Sequence, residues 1–207
     1  MLKNLLIVIY VFFSVAMFAE QNTTEQKFRQ KLESVSGKNE TIVCNFTQTK
    51  KVKNVKQTAH SNGQFFYDNS GRMALIYTVP KGDKIIMTGN DFMILASGKK
   101  IKANASSNPV MAQISYMMQA CMFGDVAKLG RGWVINVDES QAVYTVKLVP
   151  SDSRIKKYVS SLSMIFDKDT MTLNELRMDE TSGGYTQYNF MDKKLNQKID
   201  KSVFETL

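Results

Sequence analysis

The sequence predicts a mainly β fold: one large curved antiparallel sheet with two or three helices. Three observations carry this. From Ile42 onward, apolar residues recur with period two in about ten short runs. Most of those runs are separated by tight-turn residues, so the connections read as hairpins of a meander and not as βαβ crossovers. Helical periodicity is confined to residues 23–36 and 109–123. A chain of 207 residues with 43% apolar and 22% charged residues suits one globular domain.

The elements follow in chain order. Thr23 is a candidate N-cap with Gln26 three residues on, Gly37 is a candidate C-cap, and Phe28, Leu32 and Val35 form one apolar stripe between them. Ile42, Cys44 and Phe46 alternate with polar neighbours along the first strand. Phe65–Tyr67 and Met73–Thr78 flank the turn Asp68-Asn69-Ser70-Gly71, and Lys84–Met87 and Phe92–Ala96 flank Thr88-Gly89-Asn90-Asp91. Pro109 opens the second helix and Gly124 stops it. Strands resume at Trp133–Val137, Val143–Val149, Val159–Phe166, Leu173–Met178 and Tyr185–Met191, with one more expected near Phe204.

The first residues bear on compartment. Lys3 precedes the uncharged apolar run Leu5–Phe18, and Ala16 or Ala19 offers a small residue for cleavage. The run is shorter than the roughly 20 residues of a membrane-spanning helix. Residues 1–19 are therefore expected to be a signal peptide and 20–207 a single soluble domain, exported to the periplasm. With 27 Lys+Arg against 19 Asp+Glu the chain carries +8. Outside the cytoplasm nucleic acid is a poor partner, and an acidic protein surface or anionic lipid headgroups fit that charge better. Lys50, Lys51, Lys53 and Lys56 crowd the end of the first strand, and Lys99, Lys100 and Lys102 form a second cluster. Each reads either as a solvated hairpin edge or as a docking patch.

Signals for catalysis are absent or weak. There is no Gly-x-Ser-x-Gly elbow, no His-Glu-x-x-His, no phosphate loop and no Cys-x-x-Cys. Cys44 and His60 could in principle form a nucleophile–base pair on neighbouring strands, but Cys44 shares a strand face with Ile42 and Phe46, as a buried inert thiol would. Cys44 and Cys121 are either bonded, closing a loop worth roughly 4 kcal/mol on the chain-entropy model, or two separate thiols. One His and two Cys leave little material for a zinc site. The second helix carries Val110, Met111, Ile114, Met117, Met118, Cys121 and Met122 on one stripe. A Met-rich face of this kind is either core packing or an adaptable cover over an apolar cavity.

The ordered set Phe46-Thr47-Gln48, Gly63-Gln64-Phe65-Phe66-Tyr67, Ser70-Gly71-Arg72-Met73, Tyr77 and Pro80 resembles the periplasmic outer-membrane lipoprotein carriers of the LolA type. So do Ile85-Ile86-Met87, Phe92-Met93-Ile94, Gly184-Tyr185-Thr186, Phe190, Asn196, Ile199 and Phe204. The resemblance implies an unclosed half β-barrel of about ten to eleven antiparallel strands, with helices as a lid over an apolar concave face. It also implies a non-enzymatic carrier with no cofactor, which accepts acylated lipoproteins from an inner-membrane lipoprotein-releasing transporter and passes them to an outer-membrane acceptor. A monomer is expected, because a one-to-one carrier must travel between membranes. A carrier or sensor of another envelope amphiphile, such as a glycolipid or fatty acid, is the alternative on the same fold.

By matched position, Met73 and Leu75 fall where family members line the cavity, and Leu32 falls in the lid. Strand alternation adds Phe46, Phe65, Tyr67 and Tyr77 to the concave face, and Ile114, Met117 and Met118 are the expected lid contacts. Lys50, Lys51 and Lys53 are the candidate docking residues. Two departures from the family pattern stand out. The hairpin position where many members carry a lid-latching Arg is Asn69, with Arg72 on the wrong strand parity to replace it, and the usual Asp-Gly of the next hairpin is Gly89-Asn90.

Overall fold

The computed structural model describes residues 23–35, 38–104, 106 and 132–205. The expected signal peptide over 1–19 lies outside them. So does the second helix, with Ile114, Met117, Met118 and Cys121.

Eleven strands form one antiparallel sheet: β1 (Thr41–Lys51), β2 (Ala59–Asp68), β3 (Arg72–Val79), β4 (Lys84–Thr88), β5 (Asp91–Ala96), β6 (Lys99–Asn104), β7 (Trp133–Glu139), β8 (Val143–Pro150), β9 (Val159–Asp167), β10 (Leu173–Glu180) and β11 (Tyr185–Leu195). Their order is β6-β5-β4-β3-β2-β1-β11-β10-β9-β8-β7, so among the described residues β6 and β7 are the outermost strands and the barrel is not closed. The sheet is thus two meanders, β1–β6 and β7–β11, joined where β11 returns to pair with β1 from Ile42↔Leu195 to Lys51↔Tyr185. A single continuous meander would have placed β6 beside β7. One extra residue on β11 bulges that junction opposite Cys44, and Asp192 takes a positive φ of 54° there.

Period-two alternation decides the faces. On the concave side, Ile42, Cys44 and Phe46 of β1 share the core with Phe65 and Tyr67 of β2 and with Tyr144, Val146 and Leu148 of β8. The first helix, α1 (residues 23–35), covers one wing of this face. Its Phe28 ring sits 5.4 Å from Tyr144 and 5.2 Å from Phe166, and those two are cross-strand partners on β8 and β9. Glu25 and Arg29, one turn apart, pair on the helix flank. A short helix, α2 (Ser153–Lys156), capped by Asp152, links β8 to β9.

The convex face has a smaller core of its own. Ala74, Ile86 and Met93 meet Phe204, with Ile199 and Val203 packed alongside. Phe204 ends a 3₁₀ turn over Lys201–Phe204 capped by Asp200, not the strand expected there. Arg72 points to this side, as its parity required: its guanidinium lies 4.6 Å above the Phe204 ring and donates from Nε to Asp68 Oδ2 at 2.9 Å. The Asp68 side chain also accepts from the Ser70 backbone N–H within the β2–β3 turn.

Burial alone would raise the Asp68 carboxyl, but the Arg72 and Ser70 hydrogen bonds outweigh it and hold the group below its ordinary value. A carboxylate depressed on folding stabilises the native state above its unfolded pKa of about 4 and loses that contribution as pH falls through the folded value. Thermal melts of Asp68→Asn should therefore fall less steeply than wild type on acidification below about pH 4. Parallel acid limbs would show that the pair contributes no pH-linked stability. Among the described residues no helix is long and apolar enough to cross a membrane.

Candidate functional site

Concave positions that are not plugged by α1 leave a cavity of ≈ 490 Å³ toward the end of the sheet where β1 runs out at Lys51. This is a normal size for a lipid-chain or small-ligand site. Its left wall is Phe65, Met73, Leu75, Tyr77, Ile85, Met87, Phe92 and Ile94, from β2 to β5. Its right wall is Leu162, Met164, Leu176, Met178, Tyr188 and Phe190, from β9 to β11. The cross-strand rungs explain the continuity: Phe65 faces Leu75, Leu75 faces Ile85, and Ile85 faces Ile94, so one row of side chains crosses four strands. Among the described residues no Asp or Glu lines the cavity.

Four expected cavity residues therefore line it: Phe65, Met73, Leu75 and Tyr77. Phe46 and Tyr67 have the concave orientation expected but are 1% exposed and form no part of the wall. Phe46 lies beneath Tyr77 (5.1 Å between ring centroids) and Tyr188 (6.0 Å). Tyr67 belongs to the packed end with Ile42, its partner on β1. Leu32 of α1 is completely buried in the main core and forms no part of the cavity wall. Asn69 is an exposed turn residue whose N–H donates to the Glu40 carbonyl at 2.8 Å.

Residues of β4 and β5 were missed by sequence reasoning although the signal was present. The two-residue turn Gly89-Asn90 sets Met87 opposite Phe92, and parity carried over from Met73 then assigns the whole hairpin. The right wall had no such signal, since its place depends on β11 pairing with β1.

Polar atoms in the cavity are few and ordered. Gln48 Nε2 donates to the Tyr188 hydroxyl at 2.9 Å, which lies 3.3 Å from the Tyr77 hydroxyl. Burial raises both phenols, so they remain protonated donors. Lys50 and Thr186, paired across β1 and β11, also line the cavity. The three candidate docking lysines thus divide. Lys50 faces the cavity, Lys51 donates from Nζ to the Lys56 carbonyl at 3.2 Å, and Lys53 is exposed in the following loop. Val52 and Val55 in that loop are 45% and 48% exposed.

Cys44 and His60 do not meet. Cys44 pairs with Phe65 and Thr49 with His60, so the two are five rungs apart, about 17 Å at strand spacing, and on opposite faces. Burial pushes the Cys44 thiol up to about 12, against a smaller lowering by Lys193. It is a free, buried, inert thiol. Among the described residues no group of three or more His, Cys, Asp or Glu is placed to hold a metal.

The family model described as outer membrane lipoprotein carrier protein LolA matches residues 37–206. Among solved structures, a LolA superfamily protein from Nitrosomonas europaea is 10% identical over 88% of this chain and 98% of its own, with a TM-score of 0.44. MucB is 11% identical over 87% of this chain and 62% of its own, at 0.51. The Mycobacterium tuberculosis lipoprotein LppX is 11% identical over 84% and 98%, at 0.41. Identities this low speak to the fold alone. Among curated proteins no sequence match is found.

Proposed function

The chain belongs to the outer membrane lipoprotein carrier protein LolA family, and on that premise we propose that it is a periplasmic carrier of lipoprotein acyl chains. It takes the chains into the concave cavity, shields them from water and shuttles them from the inner to the outer membrane. The observation that supports this is the unclosed sheet holding a ≈ 490 Å³ cavity whose wall, among the described residues, is almost wholly apolar and carries no carboxylate. Each acyl CH₂ moved from water into such a wall contributes about 0.8 kcal/mol, so even partial cover of a long chain gives firm binding. No bond-making chemistry is required of the site. The partners on this reading are acylated lipoproteins, an inner-membrane lipoprotein-releasing transporter and an outer-membrane acceptor. Lys51 at the end of β1 and Lys53 in the loop that follows, beside the cavity, form the proposed docking surface for an acidic partner face.

Spheroplasts of the native host supply the test. Added mature protein is expected to release acylated lipoproteins into the supernatant as a one-to-one complex. Binding of apolar probes without any release would redirect the reading to a carrier of another envelope amphiphile. Absence of both would refute the carrier reading itself. The amphiphile alternative has one observation of its own in favour, the lysine in the cavity wall.

A further inference from the structure

Among the described residues lining the cavity, Lys50 is the one cation, and no carboxylate accompanies it. It stands on the exposed end of β1 and has no ion pair or hydrogen bond among the described residues. Its neighbours on the same face are suited to an oxygen-rich group. Thr186 is its cross-strand partner, and Gln48 follows two residues inward, about 7 Å along the strand. Gln48 in turn holds the Tyr188 hydroxyl, with Tyr77 beside it. Beyond Lys50 and these four polar residues the described lining is aliphatic, Met and Phe.

A purely apolar load gains nothing from this arrangement. A lysine against a greasy wall, with neutral donors one step deeper, is complementary to an amphiphile whose acid head stops at the mouth while its tail runs inward. Neither acidic residue at the end of β10 forms an ion pair with the ammonium. Asp179 lies on the opposite strand parity from the wall residue Met178 and is tied to Arg177, with Nη2 donating to Oδ1 at 2.7 Å. Glu180, at the end of β10, accepts from the Ser182 hydroxyl. One cation matches a singly charged head, and a long-chain carboxylate is the simplest such ligand.

We infer that Lys50, with Thr186 and Gln48, forms a head-group site at the cavity mouth for a carboxylate-headed amphiphile. This rests on the carrier reading for the tail and adds a charged contact for the head. The binding partner need not be a lipoprotein, because an N-acylated, diacylglyceryl-modified chain end offers only neutral carbonyls to the ammonium.

The test compares cis-parinaric acid with its methyl ester, which keep the same tail and differ in head charge, by fluorescence titration of the mature protein at low ionic strength and neutral pH. The acid is expected to bind about tenfold more tightly than the ester, the size of one charge-assisted contact at a partly exposed site. Added salt should narrow the gap. Lys50→Met should close the gap between acid and ester, and Lys50→Arg should keep it. Lys50 is exposed at a strand end, so neither change threatens the fold. Equal affinities for acid and ester in wild type, or a gap that survives Lys50→Met, would overturn the inference and leave the carrier reading standing. If neither ligand binds, both fall together.

Discussion

Leu75→Glu is expected to lower affinity for uncharged acyl probes at least 100-fold at pH 7.5 and to regain part of the loss at pH 5. Leu75 lies in the row that crosses the left wall, between Phe65 on β2 and Ile85 on β4, and it is only partly buried. In the empty protein water in the cavity can hydrate a new carboxylate, so the fold should survive. A bound chain removes that water. The site must then either bury an unpaired charge, at several kcal/mol, or protonate it. Protonation is the cheaper route, costing about 1.4 kcal/mol for each pH unit between the ordinary glutamate pKa and the working pH. Three units at pH 7.5 correspond to a loss of roughly 4 kcal/mol. The sign of the pH effect follows: binding takes up a proton, so affinity rises as pH falls toward the ordinary value. Titration of the ester probe at both pH values, with Leu75→Met as a volume control, reads this directly. A Leu75→Glu protein that binds as wild type does would place the chain elsewhere. In the spheroplast assay the same variant should fail to hold lipoproteins in solution.

The contrast between legible and illegible parts of this molecule has a physical basis. Side-chain parity told which face Phe46, Phe65 and Tyr67 take, because a strand half-buried on one side must alternate. It did not tell depth. Phe46 and Tyr67 sit where the concave side is filled by other rings, and Phe65 sits where it is not. β6 was hidden by its own edge chemistry: Lys99, Lys100 and Lys102 make it look like a solvated turn, although Ile101 pairs with Ile94 in register. The C-terminal segment reads as a strand on its apolar residues, yet Asp200 caps a 3₁₀ turn that lays Phe204 under Arg72. The joint between β1 and β11 spans more than 130 positions of sequence, and no local pattern announces a contact of that range. Half of the cavity wall depends on it.

Gly63→Ala is expected to destabilise the protein by about 3 kcal/mol, at the upper end of what overpacking a well-filled interior costs. Gly63 sits where β2 and β3 change register, opposite Tyr77. A Cβ added there would lie 2.1 Å from the Ile76 carbonyl oxygen and 2.9 Å from Phe46 Cε1. The ring can turn aside, but the carbonyl belongs to the sheet backbone and cannot retreat without loosening the β2–β3 ladder. Need for space, not for an unusual backbone angle, is thus what places glycine at this rung. For a domain of this size the loss corresponds to a fall in Tm of roughly 6–12 °C. Phe46→Leu in the same chain should relieve the ring contact and recover little of the Tm, because the carbonyl contact is the closer one. The consequence for function follows from the partner residue. Tyr77 faces Gly63 and reaches across to Tyr188, so a shifted rung should also disturb the hydroxyl pair inside the cavity. Reduced affinity for uncharged probes in Gly63→Ala, measured well below its Tm, would tie the glycine to the cavity as well as to the sheet. An unchanged Tm would mean that β3 does not approach β2 this closely.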